Sequence, residues 1–146
     1  DLRRQLERAG IPMFDYRHAG LADVLTTLRA LGRVTGHDAE AGRLAADLER
    51  RLDAVKARTA AVRAPRTLLV FGREPGALRN VYVAGGRGFL HDMLGVAGGA
   101  NVFADVARES VQATTELILA RAPDVIIEVR EGPALSDADV RAACTS

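Results

Sequence analysis

A chain of 146 residues is the size of one ordinary domain and is long enough to bury a core of its own. Its 20 basic and 19 acidic residues leave a formal net charge of +1, which excludes the electrostatic footprint of a nucleic-acid or anionic-membrane binder. Apolar residues at 48% and charged residues at 27% give a globular profile, and no run of roughly 18 apolar residues offers a membrane span.

The first elements follow from helical periodicity. Leu2, Leu6 and Ala9 lie on one face of a helix that Gly10 ends with a left-handed turn. Ile11 to Tyr16 reads as a short strand, which Pro12 confines to a sheet edge. Leu21, Val24, Leu25, Leu28 and Leu31 recur at three- and four-residue intervals and predict a helix running to Gly36. A second helix opens at Asp38 as N-cap, with Glu40 in the first turn to complement the dipole and a stripe of Leu44, Leu48, Leu52, Val55 and Val62. Nothing breaks it before about Val62, so it would reach roughly 35 Å, more than one small lobe needs.

Ala64-Pro65 begins a different regime. Thr67 to Phe71 is a compact apolar run of the kind found in buried strands, and Val81 to Ala84 is a second strand. Gly85-Gly86-Arg87-Gly88 then leads into a helix with Leu90, Met93, Leu94 and Ala97 facing inward, ended by Gly98-Gly99. Residues 101–113 read as irregular. Thr114 caps a short helix that Pro123 closes, Val125 to Val129 is a third strand, and Ser136 with Asp139 resembles a capping pair at the start of a last helix. Strand and helix alternate through this half, which predicts an α/β layer structure with a largely parallel sheet.

Chemistry is sparse. His18, His37 and His91 stand apart without ligand spacing, and the lone Cys144 rules out an internal disulfide and argues against a cysteine metal site. His91 and Asp92 are neighbours on a helix and point about 100° apart, so they form no catalytic dyad. No catalytic set, metal cluster or cofactor is expected. Gly85 to Gly88 occupies the place of a phosphate loop, but Phe89-Leu90 follows where Lys and Ser/Thr would be needed, and the dinucleotide spacing also fails. A small nucleotide-binding or enzymatic α/β domain using that turn is the alternative reading; the helix from Asp38 as a partner-binding element is a third, weakened by its irregular stripe. Phe71, Arg73, Arg79, Tyr82, Arg87 and Phe89 cluster where the strands end, a mixture suited to a bulky, partly apolar ligand with anionic groups. Taken singly, the phenylalanines read equally as core and the arginines as solvated surface.

Four segments stand out together: Leu31-Gly32 and Thr35-Gly36-His37 before the long helix, Leu69-Val70-Phe71-Gly72, Gly98-Gly99-Ala100-Asn101-Val102-Phe103-Ala104-Asp105, and Glu116 with Ala120-Arg121-Ala122-Pro123-Asp124. In these the chain resembles the substrate-binding proteins of ABC importers for cobalamin, ferric siderophores and haem. The resemblance implies an α/β fold of two lobes joined by one long helix, with residues 1–37 ending the first lobe, 38–63 the helix, and 64–146 an incomplete second lobe. It implies a periplasmic or membrane-anchored extracytoplasmic protein whose export signal lies outside this chain. It also implies a metal-chelate ligand, an ABC permease as partner, and no enzymatic activity. Phe71 and Tyr82 match positions at the cleft mouth; Arg73 and Arg87 are added as ligand contacts from the strand-end cluster; Glu116 matches the glutamate that docks on permease arginines. Arg108-Glu109-Ser110 departs from cobalamin-binding members, where an aromatic often lines the cleft, which favours an anionic iron chelate. A partial two-lobed fold with uncovered apolar surface is also expected to self-associate.

Overall fold

The computed structural model describes residues 1–74, 77 and 79–130. The Ser136 helix start and Cys144 lie outside the described residues. Helix α1 (Leu2–Arg8) is capped by Asp1, whose carboxylate accepts the Arg3 N–H, and Gly10 at φ +66° turns the chain away as the sequence predicts. The strand expected at Ile11 to Tyr16 is not formed. A strand exists only through a ladder partner, and among the described residues none pairs with this segment.

Helix α2 (Leu21–Thr35) ends at Gly36, which sits at φ +76°, and α3 (Asp38–Thr59) follows at once. The N-cap position of α3 is His37 rather than Asp38; Asp38 lies inside the first turn with Glu40, where both charges face the positive end of the dipole. The two helices meet through small residues. Gly32 is buried, a Cβ there would collide with the Ala41 methyl, and Ala41 and Ala45 are the buried residues of α3. The expected leucine stripe is therefore displaced: Leu44, Val55 and Val62 stay exposed because the close approach runs along the alanine face beside them. At 22 residues α3 is about 33 Å long.

The sheet is built on β1 (Arg66–Gly72), whose Thr67, Leu68, Leu69 and Val70 are all buried. One edge pairs in parallel with β5 (Val125–Glu128) through residues 67–70. That leaves the other edge for β3 (Ala100–Asn101), parallel at Arg66 and Thr67, and for β2 (Val81–Ala84), antiparallel at Val70 and Gly72. Then β4 (Ser110–Ala113) pairs antiparallel with β2. The sheet is thus mixed rather than largely parallel, because the connection from β1 to β2 is too short for a crossover and returns as a hairpin. Strands β3 and β4 fall in the stretch read as irregular; at two and four residues they are too short to carry a period.

Alternation puts Leu68 and Val70 into one core with Val81, Val83, Val102, Phe103 and Ala113, which Ile118 of α5 (Thr115–Arg121) helps to cover. On the opposite face Leu69 and Ala84 pack on Leu94 of α4 (Phe89–Val96), with Phe71 and Leu90 at the margin. Val125, Ile126 and Ile127 of β5 remain 41%, 61% and 41% exposed, so this edge of the sheet is apolar and uncovered by the described residues.

The segments most characteristic of the sequence act as clamps on this frame. The Asn101 side chain donates to the carbonyls of Ala84 and Gly85 at 3.1 and 2.8 Å while its Oδ1 accepts the Phe103 N–H at 2.9 Å, tying β3 to the end of β2. Arg121 donates to the Val102 carbonyl at 3.0 Å, holds Asp105 with two bonds of 2.6 and 3.0 Å, and lies 4.9 Å from the Phe103 ring centroid. Asp124 accepts the Arg66 N–H at 3.0 Å and fixes the entry of β5 beside β1. Replacing Asn101 by Ala leaves two carbonyls and one N–H without their partner, so Asn101→Ala is expected to lower stability by about 2 kcal/mol. Urea unfolding measures this; an unchanged midpoint would show that water replaces the clamp at no cost.

Candidate functional site

Val81 and Val83 face the Phe103 core, so Tyr82 between them must face the other side of the sheet, with Ala84 and Phe71. Its partner in the ladder is Gly72, where an added Cβ would lie in ordinary contact with Tyr82 Cβ and Cδ2 at 3.7 Å. The register shift between Val70 and Gly72 bends β1 at this point. On the other side of Tyr82 stands Gln112 of β4, whose amide donates to Asn80 Oδ1 at 3.1 Å. Asn80, at φ +50°, turns the chain into β2.

Arg73 follows immediately, and its guanidinium makes a two-pronged pair with Glu128 at the end of β5, Nε to Oε1 at 2.9 Å and Nη2 to Oε2 at 3.2 Å. The Arg73 side chain is only 18% exposed, so much of its charge is spent holding the ends of β1 and β5 together. Phe71, Arg73 and Tyr82 are therefore brought to one end of the sheet. Arg87 is not among them: β2 runs antiparallel to β1, and Arg87 lies three residues beyond Ala84, at the opposite end. The remainder of β2, from Tyr82 to Ala84, and the turn after it separate the two groups.

The turn that carries Arg87 is packed from within. The N–H groups of Gly85, Gly86 and Arg87 donate to the carbonyls of Glu109, Val106 and Arg108 at 3.0, 2.8 and 3.2 Å. A Cβ on Gly85 or Gly86 would collide with the carbonyl of Arg108 or Ala104. These glycines admit the backbone of residues 104–109, and the amides of Gly85, Gly86 and Arg87 are already bonded and not offered to a phosphate.

Glu116 lies in the first turn of α5, above the Thr114 cap, whose hydroxyl oxygen accepts the Leu117 N–H at 3.2 Å. Its own backbone N–H, and then the Thr114 hydroxyl, hold its carboxyl below the ordinary glutamate value, so the exposed group stays charged. It borders an open recess of about 580 Å³ with Glu74, Arg79, Asn80, Gln112 and Thr114. Because Gln112 and Asn80 also flank Tyr82, the proposed docking carboxylate and the Phe71–Tyr82 face share one end of the sheet. Sequence reasoning passed over Asn80, Gln112 and Glu128, since their roles come from strand pairing; Glu128 opposes Arg73 across 55 residues of chain.

Residues 1–137 match the family described as periplasmic binding protein, and the chain belongs to that family. Among curated proteins it is 26% identical over 123 residues to the vitamin B12-binding protein of Yersinia pestis (strain Pestoides F), spanning 84% of this chain and 42% of that one. Among solved structures it resembles an ABC transporter substrate-binding protein from Listeria monocytogenes EGD-e, at 27% identity and a TM-score of 0.75, over 98% of this chain and 53% of that one. It also resembles a periplasmic heme-binding protein from Roseiflexus sp. RS-1, at 25% identity and a TM-score of 0.73, over 89% of this chain and 49% of that one. The chain thus spans about half the length of these relatives or less. No helix among the described residues is long and apolar enough to cross a membrane.

The Gly85–Gly86 packing separates two substitutions. Gly86→Ala forces a methyl group against the Ala104 backbone and is expected to prevent accumulation of folded protein. Arg87→Ala, at an exposed position, is expected to shift stability by about 0.5 kcal/mol or less. Thermal melts of the two variants check this, and a fully stable Gly86→Ala protein would contradict the packing described.

Proposed function

We propose that the full-length protein is the non-catalytic, extracytoplasmic solute-binding component of an ABC importer. It captures a metal chelate, either a ferric siderophore, haem or a corrinoid, and delivers it to the membrane permease. The family match over residues 1–137 carries this reading. In it, residues 1–37 close the first lobe, 38–63 connect the lobes and 64–146 belong to the second; α3 fits a connector, since over 22 residues it buries only Ala41 and Ala45.

The chelate enters as cargo with its metal already held, so the protein needs shape and charge rather than metal ligands of its own. Phe71 and Tyr82 supply an apolar platform with a phenolic rim, and Arg73 offers what remains of its charge beside the Glu128 pair. Arg87 reaches the ligand only from the far end of the sheet, and so acts as a separate outer contact. Glu116, charged and exposed beside the same end, is the permease-docking group. The β5 edge, left uncovered by the described residues, supports self-association of the 146-residue chain in isolation.

Calorimetry on the full-length protein with ferric siderophores, haem, cobalamin and ATP is expected to give saturable binding to one of the chelates and none to ATP. Binding of ATP alone would replace this reading with a nucleotide one.

The docking role makes a different demand. Glu116→Lys is expected to preserve chelate affinity while weakening transport in a reconstituted system, more severely than Glu116→Ala. The defect should shrink at high ionic strength, where the pair is already screened. Because the folded carboxyl titrates below its ordinary value, transport should hold as pH falls through the ordinary glutamate range and be lost only below it. Loss of chelate binding in Glu116→Lys with permease association intact would place the residue in the cleft instead.

A further inference from the structure

Asp92 has a partner that its neighbour in sequence does not suggest. It stands in α4, yet its Oδ2 accepts the backbone N–H of Leu21 at 2.8 Å, across 71 residues of chain. Leu21 is the first residue of α2, and the N-cap of that helix is Gly20, which has no side-chain oxygen to offer. One of the orphan amides at the helix start is therefore satisfied by a carboxylate from another helix, at the end where the dipole favours negative charge. Gly20 is required for this geometry: it is buried, and a Cβ there would run into the Asp92 carboxylate. Asp23, in the first turn of α2, is turned to the preceding Ala19 N–H at 3.0 Å and leaves the Leu21 amide to Asp92.

Other contacts between the two halves are modest, with Thr59 at the end of α3 lying against Gly98 beyond α4. The helices α2, α3 and α4 leave between them an open recess of about 440 Å³, bordered by Leu25, Leu52, Lys56, His91 and Val96 as well as by Leu21 and Asp92 themselves. The α2–α3 pair is locked internally at Gly32 and Ala41, so any tilt against α4 would carry both helices together.

We infer that Asp92 is a latch that caps α2 from the sheet-bearing half of the molecule and so fixes the angle between the α2–α3 pair and the sheet. The consequence for capture rests on α3 connecting two lobes, as proposed above: the angle then sets the lobe separation before any ligand arrives. Asp92 is a positioning residue and touches no ligand.

Spin labels at Val34→Cys on α2 and Leu119→Cys on α5, both highly exposed positions, report that angle in the full-length protein with Cys144→Ser and any other free thiols removed. Without ligand, the parent protein and Asp92→Asn, whose amide oxygen can still accept the Leu21 N–H, are expected to give one narrow distance. Asp92→Ala is expected to broaden it and add a second population. An Asp92→Ala distribution identical to the parent, or an Asp92→Asn distribution as broad as that of Ala, would overturn the latch. Hydrogen exchange of the Leu21 amide in the unsubstituted protein is an independent check should Asp92→Ala fail to fold: protection supports the latch, and exchange at an unprotected rate refutes it. Neither measurement uses a chelate, so failure to bind one leaves this test intact.

Discussion

Thr67, Leu68, Leu69 and Val70 are each 6% exposed or less, and they occupy consecutive positions of a single strand. Such burial is possible only when both faces and both edges of β1 are covered at once, which dictates where everything else goes. One edge takes β5; the other is shared by β3 at its start and β2 at its end. One face takes the Phe103 core and the other takes α4. Each buried aliphatic side chain of the strand is worth about 2 kcal/mol over an exposed one, so no alternative register of β1 leaves the fold intact.

The division of an edge between two strands needs a joint, and Asn101 is that joint. A side-chain amide bridges the carbonyls at the end of β2 and the N–H that follows β3, where no backbone ladder can be continuous. Arg121 and Asp124 do the same for α5 and β5. Asn101, Arg121 and Asp124, among the residues that make the family visible in the sequence, are therefore architectural, and the proposed reading leaves ligand choice to residues that no clamp requires, such as Tyr82. The opposite ends of β1 divide in the same way. The end with Gly85 and Gly86 is closed by backbone packing, whereas the end with Phe71, Arg73 and Tyr82 opens beside Glu116.

Most of the helical framework was legible because helices announce themselves locally. Gly10 and Gly36 both adopt positive φ where the sequence ends a helix, and Thr114 caps α5 as read. What was not legible depends on partners distant in sequence. Ile11 to Tyr16 has strand-like composition but no ladder, and β3 and β4 have a ladder but too few residues for a pattern. The α3 contact runs through Ala41 and Ala45, small residues that an apolar-stripe reading passes over in favour of Leu44. At the candidate site, Phe71 and Tyr82 were recognisable and do share a face, while the engagement of Arg73 by Glu128 and the separation of Arg87 follow from strand direction alone. Asp92 was weighed only against His91, and its actual partner lies in a different helix.

In the proposed function the open end of β1, and not the glycine turn at its other end, receives the cargo. Hydrogen exchange of the full-length protein, with and without whichever chelate it binds, tests this most directly. Ligand-dependent protection is expected in the segments around Phe71 to Arg73 and Asn80 to Tyr82, with little change at Gly85 and Gly86, whose amides are already bonded. Protection confined to residues 85–88 and 104–109, with residues 71–73 unchanged, would contradict it.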